Sequence, residues 1–122
     1  MALNIIGGSV SPSTALALNA QTGTTYTFVL TDSNNTLVTA SNASAQTYSI
    51  PTNASVAYPI GAQINIIAIG AGQVTIQAVT SGTTTVLSNG TTAAAPKLRV
   101  QYSSASLLKV ATDTWYVIGD IS

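Results

Sequence analysis

Ser104, Ser106 and Lys109 share one short segment, a spacing that could set a hydroxyl beside an amine base in a Ser–Lys nucleophile. In a chain so rich in Ser and Thr, any exposed strand produces the same coincidence, and we read the segment as such a strand. The acidic residues are Asp32, Asp113 and Asp120. Paired-carboxylate chemistry needs two of them converging on one bond. Asp113 and Asp120 flank a single strand-like run, which would hold them roughly 20 Å apart at about 3.3 Å per residue. The run Asp32-Ser33-Asn34-Asn35 offers oxygen donors, but a calcium loop brings several carboxylates, and a polar turn is the simpler reading. The chain has no histidine, glutamate or cysteine. Ser-His-Asp and Cys-His machinery, disulfides and a zinc site of the usual ligands are therefore excluded. Gly70-Ala71-Gly72 lacks the spacing of a phosphate loop. We expect no enzyme, no cofactor and no metal.

Charge is scarce throughout. Only 5% of the 122 residues are charged and 46% are hydrophobic, with a mean hydropathy of +0.40. Five of the six charges fall in the last quarter, and none lies between Asp32 and Lys97. Three basic residues cannot neutralise a useful run of phosphates, so nucleic acid is not an expected partner. A net charge of zero removes long-range repulsion between copies and favours association. The stretch YPIGAQINIIAIGAGQVTI (58–76) carries no ionisable group except the Tyr58 phenol, yet its apolar core Ile64–Ile69 ends at Gly70. A membrane span needs roughly 20 apolar residues, so none is expected. The N-terminus lacks a basic region and is broken by GGSVSPS, unlike a secretory leader.

The elements that must position any site read as strands. Runs rich in Thr, Val, Ile and Tyr recur about every ten residues, with turn residues between them. TTYTFVL (24–30) puts Tyr26, Phe28 and Leu30 on one face, and with TLVTA (36–40) it predicts a hairpin. QTYSI (46–50) stops at Pro51. QINIIAI (63–69) and QVTIQAV (73–79) flank Gly70-Ala71-Gly72 and predict a second hairpin. The first arm is apolar on both faces, Ile64, Ile66 and Ala68 on one and Ile67 and Ile69 on the other, so it should be a central strand or lie under another chain. TTTVL, KLRVQY, SLLKVA and TWYVIGDIS follow, the last two joined across Thr112-Asp113-Thr114. SNASA (41–45) and TNASV (52–56) echo each other at a spacing too short for a repeat architecture. The fold class is all-β: a jelly-roll-like antiparallel β-sandwich over residues 21–122, with an extended N-terminal arm over 1–20.

GTTYTFVLTD, SNASAQTYSIPTNASVAYPIGAQINIIAIGAGQVTI and the closing WYVIGDI resemble a β-domain module of tailed-bacteriophage virion proteins. The resemblance covers about residues 22–122, and its most specific parts are IPTNASVAYPIG and GAGQVTI. It implies a structural component of the virion, without catalytic residues to carry over. Related modules end long fibres and also occur as small head proteins. With Met1 almost directly before the module, we expect a capsid decoration or cement protein that bridges subunits of the assembled shell. The expected partners are the major capsid protein or another virion protein. The expected place is the capsid surface, after assembly in the bacterial host cytoplasm. The resemblance also implies a homotrimer. A fibre-tip or adhesin component is the alternative, and a carbohydrate-binding module using Trp115 or exposed tyrosines is a second. The interface candidates are Leu3, Ile5 and Ile6 in the arm, Ile67 and Ile69 in the apolar strand, and Lys97, Arg99, Tyr102, Lys109 and Tyr116 near the C-terminus.

Overall fold

The computed structural model describes residues 15–122, so the arm candidates Leu3, Ile5 and Ile6 lie outside the described residues. The described residues are all-β apart from one 3-10 turn at Leu30–Ser33. Nine strands form among the described residues. They are β1 (Ala17–Gln21), β2 (Thr25–Thr27), β3 (Thr36–Ala40), β4 (Gln46–Ile50), β5 (Gln63–Ala68), β6 (Val74–Ala78), β7 (Thr85–Leu87), β8 (Ser104–Ala111) and β9 (Thr114–Gly119). One sheet has the order β1-β3-β5-β8-β9-β7 and the other β2-β4-β6. The strand β1 starts inside the span expected to be an arm, and its five residues pair with β3.

The expected antiparallel arrangement does not hold. Strands β1, β3 and β5 run parallel to one another, as do β2, β4 and β6. Successive strands alternate between the two sheets, so the first part of the chain winds as a three-turn parallel coil. Neither predicted hairpin forms. The segments 24–30 and 36–40 fall in different sheets, and so do β5 and β6. Antiparallel pairing is confined to the second half, where β8 lies between β5 and β9.

For the hairpin expected at Gly70-Ala71-Gly72, the reason lies in the glycines. Gly70 and Gly72 do not take the positive φ that a tight hairpin turn demands; Gly61, Gly82 and Gly119 do. Gly70 and Gly72 belong to an arch, residues 69–73, which crosses from one sheet to the other and stacks on the preceding arch, residues 41–45. A Cβ on Gly72 would stand 1.9 Å from the Ser44 carbonyl oxygen, and one on Gly70 2.4 Å from the Asn42 nitrogen. Only glycine permits this approach. Gly72 N–H donates to the Asn42 carbonyl at 2.8 Å, Asn42 Nδ2 to the Thr22 carbonyl at 2.8 Å, and Ser44 N–H to Asn42 Oδ1 at 2.8 Å. The true repeat places Leu37 beside Asn65 and Gln46 beside Val74, so the SNASA–TNASV echo is unrelated to it.

Period-2 alternation fills the space between the sheets. Val38 and Ala40 of β3, Tyr48 and Ile50 of β4, Ile64 and Ile66 of β5, Val74 and Ile76 of β6, Leu107 of β8, and Trp115 and Val117 of β9 are all buried in one cluster. β5 is central, as its two apolar faces require. Phe28 joins the cluster but Leu30 does not, because the strand gives way to the 3-10 turn before reaching it. KLRVQY forms no continuous strand. Lys97 and Leu98 make single bridges to Thr75 and Ile121, and Tyr102 sits in a turn with φ 70°.

Candidate assembly surfaces

Alternation that buries one face of the six-stranded sheet must present the other. Three cross-strand rows compose it: Leu18–Leu37–Asn65–Ser106–Ile118, Ala20–Thr39–Ile67–Ser104, and Gln63–Leu108–Tyr116–Leu87. None of these residues is charged. Leu18 is 70% exposed and Ile118 58%, with Leu87 and Tyr116 also exposed. At the centre, Ser106 Oγ donates to Asn65 Oδ1 at 2.7 Å and Gln63 Nε2 donates to the same oxygen at 3.0 Å. Polar groups already paired with one another lose less on leaving water, and the aliphatics gain about 25 cal/mol per Å² covered. The face is thus broad and uncharged, with aliphatic side chains exposed between paired polar ones.

The two ends of the coil are built differently. At the C-terminal end, Pro96–Leu98 runs along β6, with Ile76 N–H donating to the Pro96 carbonyl and Leu98 N–H to the Val74 carbonyl, both at 2.9 Å. Tyr102 N–H donates to the Ala68 carbonyl at 2.6 Å, and Gln101 Nε2 to the Ile69 carbonyl at 3.0 Å. At the N-terminal end, β1 and β2 are the edge strands of their sheets. A side-chain lid closes the core there. Asn19 Nδ2 donates to Tyr26 Oη and to Asp32 Oδ1, both at 2.8 Å. Asp32 Oδ2 accepts Tyr26 O–H at 2.7 Å and Val29 N–H at 2.9 Å. Desolvation, then the Asp32 hydrogen bond and charge, hold the Tyr26 phenol well above its ordinary range. The Asp32 carboxylate is buried and committed to these donors, so DSNN is a structural turn.

The sequence-derived candidates separate into groups. Ile67 and Tyr116 lie on the uncharged face. Ile69 lies on the arch at 36% exposure, and Tyr102 stands 67% exposed on the covered end. Arg99 is exposed and pairs bidentately with Asp120, Nε to Oδ1 at 2.7 Å and Nη2 to Oδ2 at 3.1 Å. That pairing, followed by Ser103 O–H, lowers the Asp120 carboxyl below its usual range. Lys97 is exposed. Lys109 is 2% exposed and cannot serve as a surface contact, because it shares the inward phase of Ala105 and Leu107. Its Nζ donates to Asn53 Oδ1 and the Tyr58 carbonyl. The Ser–Lys pair fails for the same reason, since Ser104 and Ser106 face outward and Lys109 inward. Trp115 is 1% exposed, edge-on to Tyr58 at 5.2 Å, so it is a core residue and not a sugar-stacking platform.

Sequence reasoning missed Leu18, Leu37, Leu87 and Ile118. Each was visible as an outward-phase aliphatic, but strand order was needed to bring them onto one face. Compared with protein-family models, curated proteins and solved structures, the chain matches none.

Proposed function

We propose that this chain is a structural protein of a tailed-bacteriophage virion, a decoration or cement protein that binds the assembled capsid and bridges its subunits. The observation that carries the reading is the uncharged, aliphatic outer face of the six-stranded sheet. A cement protein must cover a neighbouring surface with little desolvation penalty, and it needs no catalytic group. Binding only the assembled shell then stabilises that shell by mass action. On this reading the protein self-associates as a trimer and acts on the capsid surface, with Ile67, Tyr116 and the outward leucines as contacts. The bacteriophage resemblance supplies the virion; the face supplies the mode of contact. A jelly-roll-like relationship to other capsid folds is not part of the proposal, because the sheets are largely parallel.

One observation favours a second reading, a fibre-tip component. Among the described residues, the coil is covered at its C-terminal end and ends in edge strands at the other, as a terminal cap of a longer β-structured shaft would. Quantitative mass spectrometry of purified virions separates the two. Hundreds of copies per particle, relative to the major capsid protein, support the cement reading. A few to a few dozen support the fibre reading, and absence from the particle removes both.

A further inference from the structure

Lys109 is buried without an opposing charge. The salt bridge found among the described residues joins Arg99 and Asp120, and the two acceptors of Lys109 Nζ are neutral carbonyl oxygens. These are Asn53 Oδ1 at 2.5 Å and the Tyr58 main-chain oxygen at 2.7 Å. An ammonium held this way bears a desolvation cost that neutral acceptors offset only in part. The approach to Asn53 is shorter than the roughly 2.7–3.2 Å of an ordinary N–H···O contact. Asn53 Cγ lies one carbonyl bond of about 1.23 Å beyond the oxygen, so it is within roughly 3.7 Å of Nζ. Reacting atoms in a near-attack arrangement stand about 3–3.5 Å apart.

We propose that Lys109 and Asn53 are joined by an intramolecular isopeptide bond that the folded chain forms by itself. Nζ attacks Asn53 Cγ, the Nζ–Cγ bond forms and the Cγ–Nδ2 bond breaks. Nζ gives up two protons, and Nδ2 departs with both as an ammonium ion, so charge and atoms balance without a redox partner. The product is a secondary amide, which replaces a buried cation with a neutral group. The surroundings hold the pair in place. Asp113 Oδ1 accepts the Asn53 backbone N–H at 2.7 Å and Thr84 O–H at 3.1 Å. Trp115 and Tyr58, both nearly inaccessible, exclude water beside the amine. The bond ties the loop after β4 to β8, and so joins the parallel coil to the antiparallel strands that follow it.

The test is the intact mass of the folded full-length chain, measured after denaturation. The expected value is one ammonia below the sequence mass, with Met1 present or removed. Trypsin cuts an unlinked chain after Lys97, Arg99 and Lys109. In the linked chain it should spare Lys109 and release residues 1–97 covalently joined to 100–122. Lys109→Met and Asn53→Ala should each restore the full mass. A folded wild-type chain at full sequence mass overturns the proposal. So does an ammonia loss that persists in Lys109→Met, or one that maps to Asn89-Gly90, where succinimide formation gives the same mass change.

Discussion

Gly72→Ala tests the coil more directly than any other single change. The new methyl carbon would sit 1.9 Å from the Ser44 carbonyl oxygen, 2.5 Å from its carbon and 2.7 Å from the Asn42 carbonyl oxygen. All three are backbone atoms, so no side chain can rotate aside and the two arches must part. Overpacking of this kind costs about 1–3 kcal/mol. Parting the arches also breaks the 2.8 Å bond from Gly72 N–H to the Asn42 carbonyl, worth about 1 kcal/mol. It further removes one of the two acceptors of the buried Gln46 amide, which donates to the Gly72 carbonyl at 3.3 Å and to the Asn42 carbonyl at 3.4 Å. Against this, the stiffer unfolded chain returns about 0.4–1 kcal/mol.

The net expectation is a loss of about 3 kcal/mol. At about 4 °C per kcal/mol for a domain of this size, the melting temperature should fall by about 12 °C. Urea unfolding followed by far-UV circular dichroism measures it. The control is Ala71→Ser, in the same arch but exposed, which should stay within about 0.5 kcal/mol of wild type. If Gly72→Ala also stays within that margin, the arches do not stack and the parallel coil is wrong at this point. A free hairpin at 70–72 would tolerate the methyl group.

Tyr48→Phe should stabilise the protein by about 1 kcal/mol at neutral pH, because the Tyr48 hydroxyl is buried with no hydrogen-bond partner among the described residues; urea midpoints of the two proteins decide it. Burial also pushes the Tyr48 phenol up to about 12, and it raises those of Tyr26 and Tyr58 as well. A phenol whose folded pKa is raised stabilises the fold fully below its unfolded value of about 10 and loses that contribution above it. Stability should therefore fall from about pH 10 upward, less steeply in Tyr48→Phe, and unfolding midpoints from pH 8 to 11 would show it. Asp32→Ala strips Asn19, Tyr26 and Val29 of their common acceptor and should cost about 3 kcal/mol or more, measured by the same unfolding. Leu18→Asp with Ile118→Asp should leave the melting temperature within about 2 °C of wild type. The same pair should lower self-association in sedimentation velocity and binding to capsids; unchanged association would remove the outer face from the assembly reading.

Most of the strands were legible in the sequence, β1 inside the expected arm being the one missed, and strand partnership was not. Ile64, Ile66 and Ala68 alternate with residues that are themselves partly apolar, which marked β5 as central. Thr112-Asp113-Thr114 marked the β8–β9 hairpin, and Asp113 does adopt the left-handed φ of 56° that such a turn needs. Gly70-Ala71-Gly72 gave an equally strong turn signal but turns between sheets. Composition reports that the chain reverses, and it does not report whether the next strand pairs with the last one or crosses the core. KLRVQY had the residues of a strand, yet its backbone bonds go to Ala68, Val74, Asp120 and Ser122 as part of a cover over the end of the coil. Lys109 was readable in principle: it is in phase with Ala105 and Leu107, and that phase buries it. What hid it was the general rule that lysine belongs outside.

Placing the charges explains how so apolar a chain is organised. Asp32 closes the N-terminal end of the core, and Asp113 anchors Asn53 and Thr84. Lys109 fills an inward site between Asn53 and Tyr58, and Arg99 and Asp120 satisfy one another. Five of the six charged side chains thus serve contacts within the fold, and none of the five lies on the outer rows of the six-stranded sheet. A chain that relied on surface charge for solubility would distribute it the other way. Hydration of that sheet falls instead to Thr39, Gln63, Asn65, Ser104 and Ser106, with leucine and isoleucine between them. Such a face is compatible with water while the protein is alone, and it meets no charge repulsion when another surface covers it. The scarcity of charge, odd as a property of a solitary domain, is consistent with one whose working state is an assembly.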